Sequence, residues 1–316
     1  MRREWSVAIA IVALAIVLAF AAPSYFSAGN LRDLFLVNMP VLVVAIGATL
    51  VVLTGEIDIS VGSAFAVCSV MAGVAAKAGL PVVAAGFVAC VAGATLGALN
   101  GALVAYGQIP SIVVTLATMV ALRDGLRGIT QGAWVENLPA RFQWLGFTQA
   151  AFPIAMGGLV AALCIATAWA LGHLRAGRAL YATGSDAESA RLAGIDTSFV
   201  KLSAFAAAGA CSGLAALLNS VRFNQIPSNT GFGLEMKVIA SVVVGGAAIT
   251  GGRGTIAGTL LGVVLLGAIG PALTFLHVNA QWERAVQGAI ILAAVSIDAA
   301  RAHRASRVAR MAVGRA

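Results

Sequence analysis

Apolar residues fill this chain in blocks about twenty residues long, separated by short polar or glycine-rich punctuation. A helix rises about 1.5 Å per residue, so each block can cross about 30 Å of hydrocarbon. The pattern predicts about ten such helices, at 5–22, 36–53, 61–78, 82–105, 111–127, 151–171, 200–221, 234–250, 254–276 and 283–299. The expected fold class is all-α and polytopic, with 1–316 as one membrane domain, because no polar stretch is large enough for a separate globular unit. Between 53 and 61 the pattern stays open. Gly55 and Gly62 flank two carboxylates, Glu56 and Asp58, and a break or re-entrant turn there needs cover from protein or a water-lined cavity.

Composition agrees with a membrane domain: the chain is 60% hydrophobic and 10% charged, with a mean hydropathy of +0.96, where soluble domains are about 25% charged. Cys68, Cys90, Cys164 and Cys211 all lie in apolar runs without metal-ligand spacing, and read as small packing residues. Arg2 and Arg3 before an apolar run resemble a signal peptide. No small-residue cleavage site precedes the next hydrophobic block, so an uncleaved first helix is expected.

The formal charge of +8 is spread through short loops, which argues against nucleic acid as a partner. The exception is the tail at about 300–316, with Arg301, Arg304, Arg307, Arg310 and Arg315, a positive-inside anchor able to touch anionic membrane lipid. An even number of crossings puts both termini on one side, and this tail makes that side the cytoplasm. Arg2, Arg3, Arg175, Arg178, Arg191, Lys201 and Arg253 then join the tail inside, and the other basic residues lie outside. Two loops exceed a simple turn. The outer one, at 128–150, carries Trp134, Glu136, Arg141, Phe142 and Trp144, as an interfacial belt or a docking face. The inner one, at 173–200, is the sizeable cytoplasmic loop.

An offset of 190 residues aligns Val52, Leu53, Gly55, Ile59, Ser60 and Gly62 with Val242, Val243, Gly245, Ile249, Thr250 and Gly252, a candidate parallel repeat. Gly93, Gly97 and Gly101, and again Gly254, Gly258 and Gly262, fall at four-residue spacing and permit close helix packing. The run 245–254 is glycine-rich but lacks the lysine and following Ser or Thr of a phosphate loop, so ATP, if used, binds another polypeptide.

Enzyme readings fail on partners. An intramembrane aspartyl protease needs aspartates from two helices, which Gly55-Glu56-Ile57-Asp58 does not supply, and His173, His277 and His303 fall near helix ends rather than beside a serine. A proton-coupled carrier using Asp58 is the rival transport class. Asp58 and Ser60 also fit as caps of a helix starting near Val61. In the inner loop Asp186 can begin a short helix containing Ala187, Glu188, Arg191 and Leu192, with Gly194 ending it. That helix reads either as a solvated connector or as an element inserted into a motor subunit.

Residues 53–63, Leu-Thr-Gly-Glu-Ile-Asp-Ile-Ser-Val-Gly-Ser, closely resemble the signature of the permease subunits of ribose-type ABC importers. Three further stretches match in order: Asn100-Gly101 through Ile109-Pro110-Ser111 to Thr115-Leu116, the loop from Gly177 to Gly194, and Val243 through Gly245-Gly246 to Gly251-Gly252-Arg253-Gly254. The resemblance spans roughly 40–300 and implies a pore-forming inner-membrane subunit that carries a monosaccharide or related polyol. It further implies a cytoplasmic ATPase subunit holding ATP and Mg, a periplasmic sugar-binding protein, a second permease copy or paralogue, and no cofactor in this chain. By the same resemblance the loop carrying Gly177, Asp186, Ala187, Glu188, Arg191, Leu192 and Gly194 couples to the ATPase. Many relatives have a second glycine where this chain has Glu56, so the resemblance supports Asp58 more than Glu56 and leaves a specific role for Glu56 open. Branched-chain amino-acid permeases are the neighbouring alternative. Glu56, Asp58, Ser60, Asn100 and Thr115 are the expected pathway or gate residues, since polar side chains in apolar helices face a cavity or another helix.

Overall fold

The computed structural model describes residues 3–279, 281–290 and 292–293. Arg2, His303, the basic tail at 300–316 and the second half of the helix expected at 283–299 lie outside the described residues. What is described is helical apart from loops and one antiparallel bridge between Val135 and Ile226.

Nine predicted segments reappear as α1 (Arg3–Ala21), α2 (Ala28–Leu53), α3 (Val61–Lys77), α4 (Val82–Ala105), α5 (Ser111–Thr130), α6 (Phe152–His173), α9 (Thr197–Ser220), α10 (Leu234–Val244) and α11 (Ile256–Phe275). Between α6 and α9 lie two short helices, α7 (Arg175–Ser185) and α8 (Ala187–Leu192), and residues 282–290 are helical as well. Six of these, α1, α2, α4, α6, α9 and α11, are long and apolar enough to cross a membrane, and α3 is a shorter apolar helix.

Two boundaries move. α2 starts at Ala28 rather than 36, because Asn30, Arg32 and Asp33 sit on its polar first turns, where Asn30 donates to the Tyr25 carbonyl and Arg32 to the Gln149 carbonyl. α10 stops at Val244 rather than 250: Gly246 takes φ +104°, which favours glycine, and the 245–255 segment becomes a loop.

α2 is the central post, buried at nearly every position from Leu36 to Leu53, and α9 packs along it. α4 lies against α9 through the predicted small-residue row. A Cβ on Gly93 or Gly97 would overlap the carbonyl oxygens of Gly209 or Phe205, so the two backbones touch as only glycine allows. The second row works similarly, with Gly258 against Gly245 and Gly262 against Ser241, holding α10 to α11. α1 leans on α11, where Thr255 donates to Glu4.

The loop after α5 divides. Phe142 is buried and Trp144 meets Phe152 edge-on at 5.3 Å, so these two are core and not an interfacial belt, while Trp134 stays exposed. The backbone N–H of Trp144 donates to the Val221 carbonyl at 2.7 Å, which ties this loop to the end of α9.

The close approach of α4 and α9 predicts opposite effects for two glycines. Gly97→Ala should lower the thermal unfolding midpoint of the purified protein, overpacking typically costing about 1–3 kcal/mol. Gly158→Ala, in a helix with open space around it, should be neutral or stabilise by up to about 1 kcal/mol through helix propensity. Equal melting of the two variants would refute the packing account.

Candidate functional site

α2 cannot continue past Leu53. Thr54 and Gly55 form a turn, Gly55 adopting φ +83°, and 54–60 runs as irregular chain before α3 begins at Val61. Polar groups there must be satisfied inside the protein. Backbone partners come first: the Ile57 N–H donates to Ser111 Oγ at 3.2 Å, and Thr115 Oγ1 reaches the Ile57 carbonyl at 3.4 Å while bonding Ser111 O at 2.8 Å. The first turn of α5 thus grips the break.

Its side chains form a second set of bonds. Asp58 Oδ1 accepts from the Ser60 N–H at 2.9 Å and the Ser60 hydroxyl at 2.6 Å. Asn100 Nδ2 donates to Ser60 Oγ at 2.9 Å, and Thr118 donates to Asn100 Oδ1 at 2.7 Å. The result is one chain of hydrogen bonds, Thr118 to Asn100 to Ser60 to Asp58, from α5 through α4 to the break. Asp58, Ser60, Asn100 and Thr115 are each no more than 5% exposed. They lock helices to one another here and do not line an open channel.

Two expectations change. Ser60 is the N-terminal residue flanking α3 but makes no side-chain bond to the helix N–H groups, and Asp58 binds Ser60 rather than the helix. The carboxylate of Glu56 stands apart from that chain, paired with Lys201 of α9 at 2.5 Å. A lysine across the fold therefore accommodates this acid.

The inner loop forms as expected around Asp186, which caps α8 by accepting from the N–H groups of Glu188 and Ser189. Arg191 pairs with Glu188, Gly194 takes φ +82°, and Leu192 is 81% exposed. Gly177 is buried where a side chain would overlap Leu171 and Ala170, while Ala187 lies on the exposed face of α8.

What joins this loop to the break is backbone. A Cβ on Gly184 would overlap the Leu53 carbonyl, whose oxygen accepts from the Gly252 N–H at 3.0 Å. Gly251 lies against Gly184 and Gly55, and Tyr181 donates to the Gly254 carbonyl at 2.8 Å. The ends of α2 and α7 and the loop after α10 thus meet through close backbone contacts. The repeat noted in the sequence marks this place: α2 and α10 both end in a glycine turn at the same end of the bundle, and their loops touch.

Sequence reasoning missed Ser111, Thr118 and Lys201, and also Arg123. Arg123 Nε donates to Ser63 Oγ at 3.2 Å, its guanidinium lies 3.8 Å from Glu235 and it sits 5.0 Å over the Phe232 ring. A Cβ on Gly62 would overlap the Glu235 carboxylate, which gives that motif glycine a physical reason. A charged residue inside an apolar block was the available signal for Arg123 and Lys201.

Asn100→Ala would remove the donor to Ser60 Oγ and the acceptor of the Thr118 hydroxyl, each lost hydrogen bond costing about 0.5–1.5 kcal/mol. Combined with Thr118→Val it should cost less than the sum of the single changes in thermal unfolding, and strict additivity would break the proposed chain. The Ser189 hydroxyl, together with two N–H groups, holds the Asp186 carboxyl below its usual range. Its folded value is depressed, so the cap should be fully present above the ordinary value near about 3.9 and lost as pH falls through the lowered one. Carboxyl chemical shifts of Asp186 followed by NMR should therefore titrate below those of an exposed aspartate.

A protein-family profile described as "Branched-chain amino acid transport system / permease component" matches residues 30–295. The chain is 38% identical over 297 residues to the autoinducer 2 import system permease protein LsrC of Yersinia pseudotuberculosis serotype O:3 (strain YPIII), covering 94% of this chain and 84% of that protein. The same protein of Yersinia pestis (strain Pestoides F) matches with the same identity and coverage. No solved structure matches. With its apolar helices and a family match over most of its length, the chain belongs to this permease-component family and is an integral inner-membrane permease subunit of an ABC importer.

Proposed function

We propose that this chain is the pore-forming subunit of an ATP-driven importer for autoinducer-2 or a closely related small polyhydroxylated sugar. The observation that carries the mechanism is the glycine junction where α7 meets the end of α2 and the 251–254 loop. A cytoplasmic ATPase subunit, holding ATP and Mg, docks on α7 and α8, with exposed Leu192 as an apolar contact and the residues from Asp186 to Arg191 as its polar surround. Movement of α7 then acts directly on Leu53 and Gly55, because packed backbones transmit displacement without side-chain slack.

The break at 54–60 is the gate. Asp58, Ser60, Asn100 and Thr115 hold it in the present arrangement, and the Glu56–Lys201 pair anchors its lower end to α9. Each nucleotide state of the ATPase favours one arrangement of this gate. Ten crossings, formed by α1 to α6, α9 to α11 and the helix that includes 282–290, place both termini in the cytoplasm and leave the basic tail against anionic lipid. Two permease copies, or this chain and a paralogue, form the pathway, and a periplasmic sugar-binding protein delivers substrate to the opposite face. The names of the relatives support the sugar class, and the family description makes branched-chain amino acids the competing cargo.

Reconstitution in vesicles with the ATPase and binding protein tests the reading. Autoinducer-2 uptake should require ATP, and Gly184→Ala should reduce uptake at least tenfold while ATP hydrolysis continues. ATP-dependent L-leucine uptake without autoinducer-2 uptake would assign the other cargo. Accumulation driven by a proton gradient alone would instead make Asp58 a proton carrier.

A further inference from the structure

α10 is short, at 11 residues, and its first turns face a cavity of about 550 Å³ bounded on the other side by the 282–290 helix. The wall carries Glu235 and Lys237 from α10, Glu283, Arg284 and Gln287 from the last helix, and the Phe232 ring at its entrance. The cavity lies near one end of the bundle: Lys237 is three residues, about 5 Å, past the start of α10, and Glu283 packs on Gly270, five residues or about 8 Å before the end of α11.

The charges are held in place. Phe232 carries two guanidiniums over its ring, Arg123 at 5.0 Å and Arg284 at 5.3 Å. Gln287 donates to Glu283 Oε1 at 2.9 Å. Behind the wall, Glu235 Oε2 and Arg123 Nη2 are sealed from solvent and form an ion pair at 3.8 Å, which fixes the Glu235 side chain at the cavity edge.

The wall chemistry selects among ligands. A metal ion needs an excess of acceptors, yet each carboxylate here has a cation beside it. An anion would meet Glu235 and Glu283. A fatty or aliphatic molecule would strand all of these groups. A neutral polyol, whose every hydroxyl both donates and accepts, fits a wall that alternates acceptors and donors, and the volume lies in the range of about 300–1,000 Å³ for small-molecule sites.

We infer that this cavity is a transit site for the sugar within the permease, where Lys237, Arg284 and Gln287 donate to its hydroxyls and Glu235 and Glu283 accept from them. This rests on the sugar-import reading. The site gives a released sugar a polar station near this end of the bundle, so it enters without shedding all its hydrogen bonds at once. Trp282, 61% exposed beside Glu283, reports on the mouth.

The test uses the complete importer in vesicles with autoinducer-2. Lys237→Gln and Arg284→Gln should each lower uptake per ATP hydrolysed at least tenfold, with hydrolysis stimulated by the loaded binding protein unchanged. In lipid nanodiscs, autoinducer-2 should perturb tryptophan emission of the permease alone, a change lost in Trp282→Phe and in both cavity variants. Wild-type uptake per ATP in both variants, or uptake and hydrolysis falling together in both, overturns the site while leaving sugar import standing. If the unmodified importer carries L-leucine and not autoinducer-2, the import reading fails first and the sugar site falls with it.

Discussion

Everything in this bundle depends on satisfying the interruption between α2 and α3. Inside an apolar span an unpaired backbone group costs several kcal/mol, so a helix may stop there only where neighbours supply partners. Here Ser111 and Thr115 take the backbone of Ile57, Gly252 binds the Leu53 carbonyl, and Asn100 reaches Ser60. Those partners come from α4, α5 and the loop before α11, and each must stay in register with the break. The interruption is therefore also what positions the surrounding helices.

Glycine makes the arrangement mechanical as well as stable. Along α4 and α9 it lets two long helices touch, producing a rigid unit. At Gly184, Gly251 and Gly252 it removes side chains between the short amphipathic helix α7 and the end of α2. The short backbone contact that results is the property the proposed coupling to an ATPase would require.

The polar groups divide into two kinds. Asp58, Ser60 and Asn100, with the half-buried Thr118, satisfy one another in a closed chain of hydrogen bonds. Glu235, Lys237, Glu283 and Arg284 instead border open space, as suits a place that receives something. Access to open space, and not charge alone, separates the two groups.

Local pattern sufficed for the helices, because an apolar block twenty residues long has few other stable forms in lipid, and Gly, Pro and Asp186 mark ends through backbone geometry and capping. It sufficed also to pick Asp58, Ser60, Asn100 and Thr115, since a polar residue in an apolar block stands out. It misplaced the start of α2, where polar residues continue a helix by bonding to loops far along the chain. Which partner each polar group takes was beyond it. Lys201 lies 145 residues from Glu56 and Glu235 lies far from Arg123 and Gly62, and only packing brings them within reach. Composition and spacing thus establish a polytopic membrane protein with a polar interruption, and its motifs carry the resemblance to a permease. The tertiary contacts decide which groups close this interruption and that it packs by backbone against α7, because hydrogen bonds act over about 3 Å and sequence distance carries no information on that scale.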